Sequence, residues 1–380
     1  MKKILVIYAS AGDGHKKAAE AVYTALQNLS RDDIDPVLID SLNYTSRFFK
    51  YSYKVGYMFL IKYLPLVWGF VYYILDNRFV YAVCRPFRRL NNALSTKRLV
   101  EFLHKEDFDL VISTHFLAEE VICRMKQKGL LSVPIINIIT DFKSHRFWEF
   151  KNVDYYTVGA EATKEMLIAR GIPQEKIKVL GMPVRSRFNK PISKEQARLK
   201  LKLEEDRFTI LVMGGGFGVG PIENIVSMLQ GLDFDCQMIV VCGHNVALVK
   251  KMRQMRKDFT KTVHILGFCV NVDEIMAASD LMVSKSGGIT VTEAMIKELP
   301  VLTLKPMPGQ EMRNADFLGE KGIGFKVKDV DELISLISRF HNSPEELKRV
   351  KERMRSVARP SAADDIARLA LRLLTQEDTE

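Results

Sequence analysis

The sequence predicts an α/β protein with two doubly wound, Rossmann-like domains facing a central cleft, and three observations carry that expectation. Short apolar runs bounded by turn residues alternate with helical patterns along the whole chain, as buried parallel strands alternate with their crossover helices. The series strand, glycine loop, helix starts twice, once at Ile4–Tyr8 and again at Phe208–Met213. A length of 380 residues exceeds one ordinary core and suits two.

In the first half, strands are expected at Ile4–Tyr8, Val37–Ile39, Leu110–Ser113, Ile135–Thr140, Tyr155–Val158 and Lys178–Leu180. Helical patterns cover Lys16–Leu29 and Ala162–Arg170, the second closed by Gly171 with Pro173 beyond it. The polar stretch Arg185–Gln196 reads as a linker, which puts a first domain over 1–185 and a second over 197–358. The second half offers Phe208–Met213, then GGGFGVG and a helix from about Pro221. Further strands follow at Gln237–Cys242, Val263–Leu266, Leu281–Val283 and Pro300–Leu304. Ala362–Leu374 is periodic as a helix after Pro360, and the segment 359–380 is expected to pack back on the first domain. In such sheets ligands lie beyond the C-terminal ends of the strands, so the cleft is the expected site.

Five scattered cysteines (84, 123, 236, 242 and 269) contain no C-x-x-C. That pattern suits a reducing cytosol and argues against a disulfide framework or a structural zinc site. The opening MKKILVIYASAGDG has too short an apolar run for a signal peptide and reads as a first buried strand.

The loop after that strand, YASAGDGHKKAAEA, looks like a phosphate cradle but breaks the usual rules. A dinucleotide fingerprint starting at Gly12 would need glycine where Lys17 stands, and G-K-[ST] occurs nowhere. His15 stands instead at the mouth of the helix, as a candidate base or as a solvated residue of the first turn. A second glycine turn, Ser286-Gly287-Gly288, follows the strand ending at Val283 and opens a helix, a natural place for a phosphate. Glu293 beyond it fits either the hydroxyls of a ribose or a capping box with Thr290. Three D-x-D pairs (Asp33/Asp35, Asp107/Asp109, Asp233/Asp235) precede strands rather than end them and read as turns, so no essential metal is expected.

SKSGGITVTEA followed by LPVLTLKPMPGQEMRNADF resembles the monogalactosyldiacylglycerol synthase and processive diacylglycerol glucosyltransferase family, inverting GT-B enzymes related to the lipid I N-acetylglucosaminyltransferase. The resemblance extends to the glycine-His loop, PIINIITDFKSHRFW, VLGMPVR, ILVMGGGFG and GFCVNVDEIMAASD, in order along most of the chain. It implies a UDP-sugar donor, UDP-glucose or UDP-galactose, a diacylglycerol-type lipid acceptor, and no further cofactor. Ser286, Gly287 and Gly288 would then hold the diphosphate and Glu293 the ribose. Backbone groups around Phe268 and Val270 would hold uracil. Gln310 and Glu311 would bind the donor sugar in a pocket shaped by Pro308, Gly309 and Asn314. Arg185, Gly215 and Gly216 would meet the phosphates, with Gly14 also on the donor side. His244 would line the nucleotide site or serve only as a strand-end histidine. His15 would take the acceptor proton, and Asp141 would be its orienting partner, an alternative base, or a turn residue.

Residues 41–100 carry ten Lys/Arg against the single acid Asp76, and 15 of the chain's 35 aromatics. One explanation is a core of aromatics beneath a solvated charged face. Concentration of both features in one segment favours a surface lying in the headgroup layer of an anionic membrane, with Lys62, Trp68, Arg85, Arg88 and Arg89 as contacts. Residues 55–75 hold one charge, but a crossing would part strands of one sheet. Lys62 would also cost about 2.5–3.5 kcal/mol at the bilayer centre. No recognised nucleic-acid motif accompanies the segment, so no nucleic-acid partner is expected. The expected place is cytoplasmic, at the inner face of the membrane. A UDP-sugar epimerase and a non-catalytic nucleotide-sugar binder are the alternative functions, the first needing no lipid surface and the second no base.

Overall fold

The structure, a computed structural model, describes residues 1–10, 12–29 and 33–376, without the side chains of 54, 57, 58, 61, 62 and 376. Lys62 therefore lies outside the described residues as far as its side chain is concerned. Alternation along Lys2–Tyr8 (β1) decides how its sheet is covered. Ile4 and Val6 pack on Ala19, Val22 and Leu26 of the helix Asp13–Leu29, while Leu5 and Ile7 join Leu99, Leu103 and Val121 on the opposite face. A strand with both faces covered has no room for polar side chains, hence the unbroken apolar runs.

With Ile34–Asp40 (β2), Leu110–Ser113 (β3), Ile135–Ile138 (β4), Tyr155–Val158 (β5) and Ile177–Val179 (β6), β1 forms a parallel sheet in the order β2-β1-β3-β4-β5-β6. The second sheet contains Phe208–Met213 (β7), Cys236–Val241 (β8), Thr262–Leu266 (β9), Leu281–Ser284 (β10), Val301–Leu304 (β11) and Gly324–Val327 (β12). Its order is β12-β11-β10-β7-β8-β9, again parallel. β12 has no counterpart in the sequence reading, because Lys326 interrupts a four-residue edge strand.

One compact unit comprises Met1–Ser186, Met307–Gln310 and the chain from Arg359 onward, and the other comprises Arg187–Pro306 and Glu311–Ala358. Ile366, Ala370 and Leu374 of the helix Ala362–Gln376 complete the core on the Ile4 face of the first sheet. The polar stretch read as a linker is partly helix: Ser193 and Gln196 form a reciprocal capping box that opens Lys194–Leu201.

Four helices, Arg47–Tyr63, Pro65–Leu75, Arg78–Ser95 and Lys97–Lys105, fill the interval between β2 and β3. Ser46 and Asn77 cap the first and third through their side chains, and Pro65 opens the second at its first position. Among the described residues no helix is long and apolar enough to cross a membrane. Among the described residues, seventeen of the twenty-seven exposed large apolar side chains lie between Phe48 and Leu94, so these rings are not a core beneath a charged face.

The helix Arg78–Ser95 is turned inside out. Phe79, Val83, Phe87, Leu90 and Leu94 form its exposed stripe, while Tyr81 and Asn92 are buried. Two of the expected membrane contacts also have neighbours within the protein. Arg88 donates to the Tyr81 hydroxyl at 2.8 Å and to Glu120 at 3.3 Å, with its guanidinium over the Phe147 ring, so its charge is spent inside the protein. Trp68 is only partly exposed, and its indole nitrogen borders Gly309. Arg89 stays 42% exposed, 3.8 Å from Glu120, and Arg85 is partly exposed.

On the inner face of Phe116–Gln127, Glu119 is fully buried and accepts from Cys123 Sγ at 3.2 Å. Burial pushes its carboxyl up to about 7. The folded pKa is raised, so the folded chain keeps a proton that the unfolded chain has lost, and stability falls as pH rises from about 4.5 to about 7. The loss is roughly 3 kcal/mol in total. Urea unfolding of Glu119→Gln at pH 5 and pH 8 should show a smaller loss between the two than in the parent. An equal loss in both proteins would mean that Glu119 ionises in the fold without penalty.

Candidate functional site

In the first sheet the chain runs from β1 to β2 on one side and onward from β3 on the other, so the loops after β1 and β3 part at a switch point. Those loops carry His15 and Thr114-His115. His15 lies in the first turn of Asp13–Leu29, beside Gly14, and its Nδ1 is 2.7 Å from the Thr114 carbonyl oxygen. A carbonyl only accepts, so Nδ1 carries the proton and Nε2 keeps its lone pair. Thr114 Oγ1 donates back to the His15 carbonyl at 3.0 Å, and Thr140 Oγ1 lies 3.1 Å from Nδ1. The ring sits 4.6 Å from that of His115 and 6.0 Å from Trp148. This crowding pushes the His15 pKa down to about 4, against the opposing effect of the Thr114 bond. The result is an uncharged imidazole with its Nε2 acceptor unspent.

Asp141, in the loop after β4, is 6% exposed and accepts from Gln310 Nε2 at 2.5 Å. The Nδ1 position where an orienting carboxylate would act is held by Thr114. Gln310 lies with Met307–Gln310 in the first unit. Gly309 has φ +104°, and a side chain there would meet the rings of Tyr72 and Trp68 at 3.2–3.4 Å, while Pro308 rests on Gly69. Arg185 pairs with Glu20 at 2.6 Å, so its charge is balanced within the first unit.

In the second sheet the switch point falls between β7 and β10. The loop after β7 is pressed backbone to backbone against the loop after β8. A Cβ on Gly218 would lie 2.1 Å from the Cys242 carbonyl, and one on Gly243 would lie 2.2 Å from that of Gly216. Both glycines also have φ +58°, so no other residue fits. His244 donates its backbone N–H to Gly216 at 2.9 Å and stacks its ring on Phe268 at 4.0 Å and 15°. Phe268 and Val270 are exposed, giving an aromatic ring beside an apolar side chain.

After β10, Gly215 approaches the Lys285 side chain, whose ammonium lies 3.3 Å from Glu311. The Ser286 hydroxyl donates to the Glu311 carbonyl at 2.6 Å, and Asn314, fully buried, donates to the Ser286 carbonyl at 3.0 Å. Ser286, Glu311 and Asn314 thus hold the turn in shape. Gly287 caps the helix Gly288–Ile296 with no side-chain cap bond, and a Cβ on it would meet nothing within 4 Å. Open space thus lies beside Gly287 at this helix terminus, with Lys285 as its neighbour in sequence, an arrangement whose chemistry suits an anion. Because the cap is Gly287, Thr290 cannot form the capping box considered from sequence, and Glu293 lies in the second turn at 2% exposure.

The D-x-D pairs have structural work: Asp109 accepts from the Lys3 N–H at 2.7 Å and Asp235 pairs with Arg207 at 2.9 Å. Thr114, Thr140, His115 and Lys285 were not singled out as site residues in the sequence reading. His115 had a usable signal, a histidine ending an apolar strand as His15 follows one. Thr114 had none, because it acts through its carbonyl.

Residues 15–184 match the monogalactosyldiacylglycerol (MGDG) synthase family, and residues 209–369 match the glycosyltransferase family 28 C-terminal domain. A processive diacylglycerol β-glucosyltransferase of Bacillus cereus is 29% identical, over 96% of this chain and 92% of that protein. Acinetobacter baumannii MurG shares the fold, with a TM-score of 0.64 at 16% identity over 98% of this chain and all of the other. So does a UDP-GlcNAc 2-epimerase of Neisseria meningitidis, with a TM-score of 0.61 at 15% identity over 97% and 100%. The fold alone thus accommodates both transfer and epimerisation.

The His15 geometry is testable without substrate. Its ring proton resonances should titrate with a midpoint near pH 4, and its nitrogen shifts should report the Nδ1–H tautomer at pH 7. A midpoint near 6.5 would show a solvated ring.

Proposed function

Because the chain belongs to the monogalactosyldiacylglycerol synthase and processive diacylglycerol glucosyltransferase family, we propose that it moves glucose or galactose from a UDP-sugar to the hydroxyl of diacylglycerol, with inversion, at an anionic membrane face. The observation that carries the chemistry is the uncharged His15 with Nε2 free to accept a proton. The acceptor hydroxyl gives its proton to Nε2 while its oxygen bonds to the anomeric carbon. The bond from that carbon to the diphosphate breaks, and its electron pair leaves on UDP. The Thr114 carbonyl then faces a charged ring, and its hydrogen bond strengthens accordingly.

A pKa near 4 keeps the ring uncharged at every physiological pH but makes it a weak base by itself. A leaving group that gains negative charge as the bond breaks raises that pKa as the proton moves, so transfer and departure reinforce each other. On the donor side, the N–H groups after Gly287 and the Lys285 ammonium would receive the growing charge. The His244–Phe268 pair would stack the base, and Glu293 would accept from ribose hydroxyls. Gln310 would exchange Asp141 for a donor-sugar hydroxyl. Arg185, balanced by Glu20, has a smaller part than an unpaired arginine would have.

The acceptor supplies the reason for the exposed apolar stripe. Phe79, Val83, Phe87, Leu90 and Leu94, with Arg85 and Arg89 on the same helix, suit the inner leaflet of a membrane. There each basic side chain is worth about 1 kcal/mol near the surface. An epimerase has no use for such a stripe, and a pure binder has none for His15.

Incubation with labelled UDP-glucose or UDP-galactose and diacylglycerol vesicles should give glycolipid. UDP-sugar isomerisation without lipid product would overturn the reading. His15→Ala should lower transfer by about 10²–10⁴-fold while UDP binding persists; near-normal turnover removes His15 from the mechanism. Replacing Phe79, Phe87 and Arg85 together by serine should weaken co-sedimentation with anionic vesicles, and unchanged sedimentation would count against the membrane face.

A further inference from the structure

His115 is used by nothing described so far, yet it is one of the most constrained side chains in the first unit. It is 1% exposed and caps the helix Phe116–Gln127, its Nδ1 accepting from the Leu117 N–H at 3.1 Å. Nδ1 is therefore unprotonated, and the ring proton resides on Nε2. Nε2 makes no hydrogen bond to the described residues. The His115 carbonyl accepts from Ser113 Oγ at 3.2 Å, and its ring packs on Phe116 at 4.3 Å. Against His15 it stands edge to face, at 4.6 Å and 79°.

We propose that His115 is a positioning residue of the acceptor site: its locked ring walls one side of His15 and keeps that imidazole in the single tautomer whose Nε2 accepts the proton. The inference rests on His15 being the base. Capping by itself does not explain a histidine, since Asn, Asp or Ser caps a helix better with a smaller side chain. What histidine adds is the ring against His15.

Three consequences of the wall act on His15. It covers one face of the ring and so takes part, with Thr140 and Trp148, in the burial that lowers the His15 pKa. It also leaves the Thr114 carbonyl as the partner of Nδ1, which pins the tautomer. Finally, it contributes no competing charge. Of the groups facing His15, Thr114 and Thr140 from two strand-end loops, Trp148, and His115 itself, only His115 titrates. Its own pKa is pushed well down by burial and further by His15, and protonating Nδ1 would break the helix cap. The pair therefore behaves as one site that can hold one extra proton, on His15.

The test uses the full chain with His115→Asn, which preserves a capping oxygen and deletes the ring. His115→Ser, a second capping variant, is read in parallel in case the first does not fold. Both should melt near the parent temperature. In each, the His15 titration midpoint should rise by about one unit or more, and the acidic limb of kcat/KM should move up with it. The value of kcat should fall about tenfold, with the KM for the UDP-sugar little changed. A midpoint and an acidic limb that stay where they are in a folded variant overturn the proposal. Failure of the parent reading looks different: His15→Ala would retain turnover, while the His15 midpoint in His115→Asn would still report whether the wall acts.

Discussion

The Thr114 carbonyl accepts a hydrogen bond from the ring of His15, and that contact can form only where two neighbouring strands end together while their onward paths diverge. β1 and β3 are adjacent in the first sheet, but the helices that leave them are not sequential partners, so their loops are free to meet. Everything proposed for the acceptor side depends on this junction. It fixes which ring nitrogen holds the proton, brings His115 against the same ring, and removes enough water to keep the imidazole uncharged. The second unit repeats the device in backbone form. There the switch point between β7 and β10 brings a glycine loop beside Lys285 and the open helix terminus at Gly287.

A second constraint is the helix Arg78–Ser95. Burying a phenylalanine or leucine is worth roughly 1.5–3 kcal/mol, so leaving Phe79, Phe87, Leu90 and Leu94 in water is a large concession by an otherwise well-packed protein. The same helix turns Arg88 and Asn92 inward onto Glu120, whose two carboxylate oxygens accept from Arg88 Nη2 and Asn92 Nδ2, while Arg88 Nε and Nη1 are buried without a hydrogen-bond partner among the described residues. Placing the polar contacts inside leaves the whole apolar stripe for an external surface. Loss of the stripe to the core would cost the inward ion pair, so the two faces are mutually dependent.

Much of the fold was legible because parallel strands buried on both faces must be continuous apolar runs, and eleven of the twelve were readable in that way. The exception, β12, is an edge strand with a lysine in it. Arg185–Gln196 was read as a linker from its polarity alone, and its last three residues already belong to a helix that Ser193 and Gln196 open with a capping box. The glycine turn at 286–288 was legible as a turn that opens a helix, but the spent hydroxyl of Ser286 was not, since its partner Glu311 lies 25 residues on. Arg88 looked like Arg85 and Arg89 in a basic run, and only the direction each takes from the helix separates them.

By itself the sequence determined two doubly wound units, a glycine turn opening a helix in the second, a histidine at the first helix mouth, and one segment rich in both cations and rings. These follow from periodicity, from glycine spacing and from composition, all of which are local. Only the tertiary structure decided that His15 is uncharged with Nε2 free, that His115 stands against it, and that Arg185 is balanced by Glu20. It also decided that Met307–Gln310 sits with the first unit. Each of these depends on a partner far away in the chain or on a backbone carbonyl, and a carbonyl is the same atom in every residue. Residue identity cannot announce such contacts; the meeting of strand ends creates them.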